Sequence, residues 1–171
     1  MIPIRTQIGR ELRWRRTRLL PTEYELTSSV DLVGRLRFMG WLRRSAVITL
    51  AEDRWLIRPP GLITRSLIVE RLEDSEHVAT YRGGLRTGHL TFTNGDVYTI
   101  SRQGLIPLSI RVQNATGSMI VSIHWSWPSF RNAGRVEIGS AGSAEPRLGL
   151  ITAVAFNVLV LRRRRAARSG G

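Results

Sequence analysis

The chain contains no cysteine and no lysine. The first absence removes disulfides, thiolate metal sites and cysteine nucleophiles together, and it fits a reducing compartment. The second leaves all 26 basic residues as arginine. Wholesale loss of lysine is what codon bias in a GC-rich genome produces, and it does not by itself point to a guanidinium-specific task. Catalytic motifs are missing as well: there is no G-x-S-x-G elbow, Walker loop, HExxH spacing or G-x-G-x-x-G after a strand. His77, His89 and His124 lie far apart, as structural or solvent-facing histidines do. Glu70, Glu73, Asp74 and Glu76 crowd one hairpin, which reads as a solvated turn rather than an acid–base pair. Arg82-Gly83-Gly84-Leu85 likewise reads as a turn. These absences point to a non-enzymatic protein. The start, Met1-Ile2-Pro3-Ile4-Arg5, leads into no apolar stretch. No secretory signal is read there, and the expected location is cytoplasmic, peripheral to a membrane at most.

What is present suffices for a core. At 171 residues the chain suits a single domain that buries roughly 70% of its unfolded surface. Its 42% hydrophobic content sets it apart from disordered chains. The formal net charge is +13, and the isoelectric point is about 11.7. Codon bias explains arginine in place of lysine, but it does not explain 26 bases against 13 acids. The excess draws the chain towards acidic partners such as anionic lipid or nucleic acid.

Residues 1–20 read as a basic N-terminal arm or short helix, with Arg10, Arg13, Arg15, Arg16 and Arg18 around Leu12 and Trp14. From Tyr24 the period becomes two. In the segment 30–38, Val30, Leu32, Leu36 and Phe38 fall on one face and Asp31, Arg35 and Arg37 on the other, the alternation of a half-buried strand. Similar segments follow at 45–50, 55–58, 66–72, 77–81, 89–92, 97–101, 108–112, 119–127 and 135–138. Between two of them, Thr93-Asn94-Gly95-Asp96 carries the Asn-Gly pair of a tight hairpin. Ten to twelve short strands at near-regular spacing predict an all-β barrel or sandwich.

The pattern then breaks. A small-residue linker, 139–144, leads through Glu145-Pro146 into the apolar run Leu148–Leu161. Apolar residues occur on every side of its helical wheel, so the helix must be surrounded by protein or lipid. Fourteen positions, interrupted by Thr152 and Asn157, fall short of the roughly 20 apolar residues needed to cross a bilayer. Length favours a buried core helix over 147–161 ahead of a tail anchor, with 162–171 as a basic tail. Trp125 and Trp127 share a face with Val121 and Ile123. Core packing is the first reading for them, and stacking on bases or wedging into a membrane interface the second.

Tyr24-Glu25-Leu26, the strand Gly34-Arg35-Leu36-Arg37-Phe38, the strand start Asp53-Arg54-Trp55, the hairpin Asn94-Gly95-Asp96-Val97-Tyr98 and the helix at 148–161 together resemble the tubby C-terminal-like superfamily. That group includes the LURP-one-related and phospholipid-scramblase-like proteins. The resemblance implies a closed antiparallel barrel of about 12 strands around a buried apolar C-terminal helix, over residues 21–161. It also implies binding of phosphoinositide head groups through basic side chains on the barrel exterior. Arg35 and Arg37, with Arg43 and Arg44 nearby, are similar in kind. Scramblase-like relatives are associated with calcium, but no acidic loop here spaces oxygen ligands for it, and no cofactor is expected. If the helix fills the barrel, Arg162, Arg163, Arg164, Arg165 and Arg168 emerge together at one end. Such a cluster beside an apolar element suits an anionic phospholipid surface, at about 1 kcal/mol per arginine. The alternatives are a nucleic-acid-binding barrel and a protein-interaction module whose charge is incidental.

Overall fold

The alternation along the chain becomes twelve strands in the computed structural model, which describes residues 1–169 apart from 30, 41–43, 52, 62–64, 85, 105–107 and 126–131. A short 3-10 turn, Ile4–Gln7, precedes β1 (Leu12–Arg18), β2 (Glu23–Thr27), β3 (Leu32–Met39) and β4 (Ser45–Leu50). Next come β5 (Asp53–Arg58), β6 (Ser66–Arg71), β7 (His77–Gly83) and β8 (Thr87–Phe92). The series ends with β9 (Val97–Gln103), β10 (Ser109–Gln113), β11 (Met119–His124), β12 (Asn132–Ile138) and then α1 (Leu148–Ser169). Each strand runs antiparallel to the next, and β12 returns to pair with β1, closing the barrel.

Period two sorts the side chains. On β3, Leu36 and Phe38 are buried in the lumen while Arg35 and Arg37 are exposed outside. The one break in that strand is a bulge opposite Leu26 and Thr27, where Val33 is the extra residue and is also buried. The Asn94-Gly95 turn forms as the sequence predicts, with Gly95 at φ +92°. An apolar interior with charged outward positions is the inverse of what a lipid-embedded barrel needs.

The lumen is filled by α1. Residues 150–160 are buried without interruption, which covers three turns of helix and every side of it. Only a surrounding sheet can do this, and it accounts for an apolar run with no polar stripe. No described helix is long and apolar enough to cross a membrane. Phe156 sits at the centre, its ring stacked on Trp14 at 4.4 Å with Trp125 on a parallel plane at 6.3 Å. Tyr24 meets it edge-on at 5.1 Å. Trp125 is therefore a core residue, and Trp127 lies outside the described residues.

The helix is fixed at its N-terminal end by a polar clamp. Tyr98 donates its hydroxyl hydrogen to Glu145 at 2.6 Å, and Arg147 pairs with both Asp96 and Glu145. The Arg147 guanidinium also lies 4.2 Å from the centre of the Phe92 ring. Buried Thr152 is satisfied by donating to the Leu148 carbonyl at 2.7 Å. Asn157 is different: it is fully buried, and among the described residues neither its Oδ1 nor its Nδ2 has a hydrogen-bond partner.

Two expectations need correction. Residues 1–20 hold neither a basic helix nor an irregular arm, because 12–18 form β1. Leu12 and Trp14 point into the core, and this strand joins the edges of β2 and β12 that would otherwise be left open. The arginine run is not a tail beyond the helix either. Backbone pairing continues to Ser169, and cations in the last turns of a helix are favoured by its dipole.

Candidate functional site

An up-and-down barrel places alternate connections at the same end, so its two ends can differ in chemistry. Six connections, 28–31, 51–52, 72–76, 93–96, 114–118 and 139–147, lie at the end where α1 enters. Their described residues include Asp31, Glu73, Asp74, Glu76, Asp96 and Glu145, with Arg147 as the one basic residue among them. The other six, 19–22, 40–44, 59–65, 84–86, 104–108 and 125–131, lie at the end where α1 emerges. Their described residues include Arg44, Arg65 and Arg86, and neither aspartate nor glutamate. Leu19 and Leu20, in the first of these connections, are 66% and 75% exposed, and Met39 at the end of β3 is exposed as well.

The helical arginines join this end, but they are engaged with the barrel rim. Arg162 donates to the Tyr81 hydroxyl at 3.0 Å and to the Arg86 carbonyl at 3.4 Å. The Arg163 guanidinium lies 4.2 Å from the centre of the Trp125 ring, and that of Arg164 lies 4.1 Å from the Phe38 ring. Cation–π contacts of this kind contribute about 0.5–2 kcal/mol each when partly desolvated. The run therefore anchors the helix end to the rim of the barrel as well as charging it.

Of the remaining candidates, Arg44 stands at the start of β4 within electrostatic reach of Arg165. Arg35 does not belong to the cluster: it lies on the barrel wall, paired with Glu25 at 2.9 Å. Arg37 is exposed on the same wall, in register with Glu23. Arg43 lies outside the described residues. The structure adds Arg16, Arg65 and Arg102, which sequence reading did not select.

Beside the emerging helix a cavity of about 560 Å³ opens at this end. Among the described residues its rim carries Arg65, Arg102, Arg162, Arg163 and Arg165 and no carboxylate, and its wall is formed by Leu67, Tyr81, Leu108, Val158 and Leu161. Burial and neighbouring like charge both act on the acidities of these groups. Burial, and then the positive charges of Arg44, Arg65 and Arg162, push the Arg165 guanidinium below its ordinary value. Burial does the same to Arg163, with Arg16 adding to it. Burial also raises the Tyr81 hydroxyl, although Arg162 opposes the shift.

No protein-family model matches the chain, and no curated protein or solved structure does either. The chemistry of this end is therefore read from its own residues. The sequence did contain the signal. Once strands are assigned, counting charge over alternate connections separates the two ends, whereas counting along the chain mixes them.

Proposed function

We propose that the barrel is a non-enzymatic, tubby-like module that docks on an anionic phospholipid surface with the end where α1 emerges. The observation that carries this reading is the separation of charge between the two ends, with exposed Leu19, Leu20 and Met39 at the basic one. Arginines interspersed with large apolar side chains suit the interface of a membrane, where guanidinium groups meet phosphates and apolar residues enter the acyl boundary. The acidic opposite end would be repelled by the same surface, so the separation also orients the molecule. Arg44 and the rim arginines Arg162, Arg163, Arg164 and Arg165 contribute to the field at this face. Arg35, held by Glu25 on the wall, is a minor contributor, as exposed ion pairs generally are.

The test is flotation of nuclease-treated protein with neutral or anionic vesicles at about 0.15 M salt, where the Debye length is roughly 8 Å. Binding to anionic vesicles alone is expected. Replacing exposed Arg18, Arg82 and Arg86 with glutamine removes three charges from this end; none of the three lines the cavity, and the Arg86 backbone carbonyl that accepts from Arg162 is kept. At about 1 kcal/mol per arginine, binding should weaken on the order of 100-fold. Protein that stays in solution with both vesicle types would refute the reading. Retained RNA or DNA, released steeply with salt, would replace it with nucleic-acid binding.

A further inference from the structure

We propose that the cavity beside α1 takes up one anionic amphiphile, its phosphate or carboxylate on the arginine rim and its hydrocarbon along the apolar wall. This deepens the docking reading, on which it rests, because the cavity opens on the end that would face the membrane.

Its origin is visible in the packing. The helix packs most closely against β4, β10 and β11, and on the β6–β7 side the cavity is lined by Leu67, Tyr81 and Gly83 together with Val158 and Leu161 of the helix. On that side Gly83 of β7 pairs with Gly88 of β8, and a Cβ at either position would collide with the Tyr81 ring. The two glycines form a slot in which the ring lies along the sheet, so it does not project into the lumen. Space therefore remains between the sheet and the helix.

The chemistry of the lining selects the occupant. A volume of about 560 Å³ falls within the ~300–1,000 Å³ typical of small-molecule sites. Guanidinium groups present planar donor forks that match phosphate and carboxylate oxygens in pairs. Arg65, Arg102, Arg162, Arg163 and Arg165 converge on the rim with no carboxylate among the described lining residues, and a bound anion would offset their mutual repulsion. A purely hydrophilic anion would leave Leu67, Leu108, Val158 and Leu161 uncovered. A molecule with an anionic head and a hydrocarbon tail satisfies both parts of the lining.

Calorimetry separates the possibilities with three probes held below their micelle concentrations. These are dihexanoyl phosphatidic acid, glycerol 3-phosphate with the same head and no chains, and dihexanoyl phosphatidylcholine with the same chains and no net charge. Phosphatidic acid should bind one to one, at least tenfold tighter than either of the others. Ala166 borders the cavity at an exposed helical position. Ala166→Trp should abolish this binding while vesicle flotation and the thermal midpoint are retained. Arg165→Gln, a milder change at another exposed position, should weaken it at least fivefold. Equal binding of glycerol 3-phosphate would overturn the amphiphile assignment, and unaltered binding by Ala166→Trp would overturn the location. If vesicles float with the protein but phosphatidic acid does not bind, the cavity proposal falls and the docking reading stands. If neither binds, both fall.

Discussion

Replacing Asn157 with leucine should make this protein more stable. Asn157 lies fully buried on α1 at the centre of the barrel, and among the described residues neither polar atom of its amide has a hydrogen-bond partner. Desolvating such a group without compensation costs about 1–3 kcal/mol. Leucine has the same branch point and the same number of side-chain heavy atoms as asparagine, and its bulkier methyl groups offset part of the gain. Its helix propensity is also better than that of asparagine, by a few tenths of a kcal/mol. The gain should therefore be about 1–3 kcal/mol. For a domain of this size that corresponds to a rise of roughly 2–4 °C in Tm per kcal/mol. Urea unfolding followed by tryptophan fluorescence should show a higher midpoint at unchanged slope. A lower midpoint would refute the reasoning, because it would mean that the amide's contacts or its smaller size contribute more to stability than its desolvation costs.

Phe156→Ala removes the ring between Trp14 and Trp125 and should cost about 3–5 kcal/mol in the same assay. Gly88→Ala would drive a methyl group into the Tyr81 ring and should cost about 1–3 kcal/mol, which the urea midpoint also reads. Burial, together with the hydrogen bond to the Glu145 carboxylate, pushes the Tyr98 hydroxyl up from 10.0 to about 12. A raised folded-state value gives stability that is present below pH 10 and lost as pH rises through 12, and Tyr98→Phe should abolish that part of an alkaline unfolding profile. Burial alone would raise Glu145, but the hydrogen bonds from Tyr98 and Arg147 outweigh it and hold the carboxyl below 4.5. Its contribution is present above that pH and lost on acidification, so Glu145→Gln should flatten the acid limb of the same profile.

Local chemistry made much of this fold readable. The alternation around Arg35 and Arg37 requires one wet and one dry face, and Asn94-Gly95 supplies its turn whatever surrounds it. The apolar wheel of α1 demanded an enclosure, and the barrel provides it. β1 escaped because Leu12 and Trp14 are only two apolar positions amid five arginines between residues 10 and 18. What makes that segment a strand is the pair of sheet edges on either side, a long-range fact. The arginine run was misread for a similar reason. Its rim contacts with Tyr81, Trp125 and Phe38 join residues far apart in sequence, and nothing within 162–165 announces them. Arg65, from the connection before β6, and Arg102, on β9, reach the cavity from separate parts of the chain, so no single stretch of sequence contains that site.

The absence of cysteine makes the most direct test of membrane docking a simple one to build. Leu20→Cys and Val97→Cys each place one label at an exposed apolar position, on the basic end and the acidic end respectively. Each variant would carry an environment-sensitive fluorophore and be mixed with phosphatidylserine-containing vesicles bearing nitroxide-labelled lipids. The account expects the Leu20 probe to shift to shorter wavelength and be quenched, while the Val97 probe stays unchanged. Quenching at Val97, or a bound protein whose Leu20 probe remains in water, would contradict it.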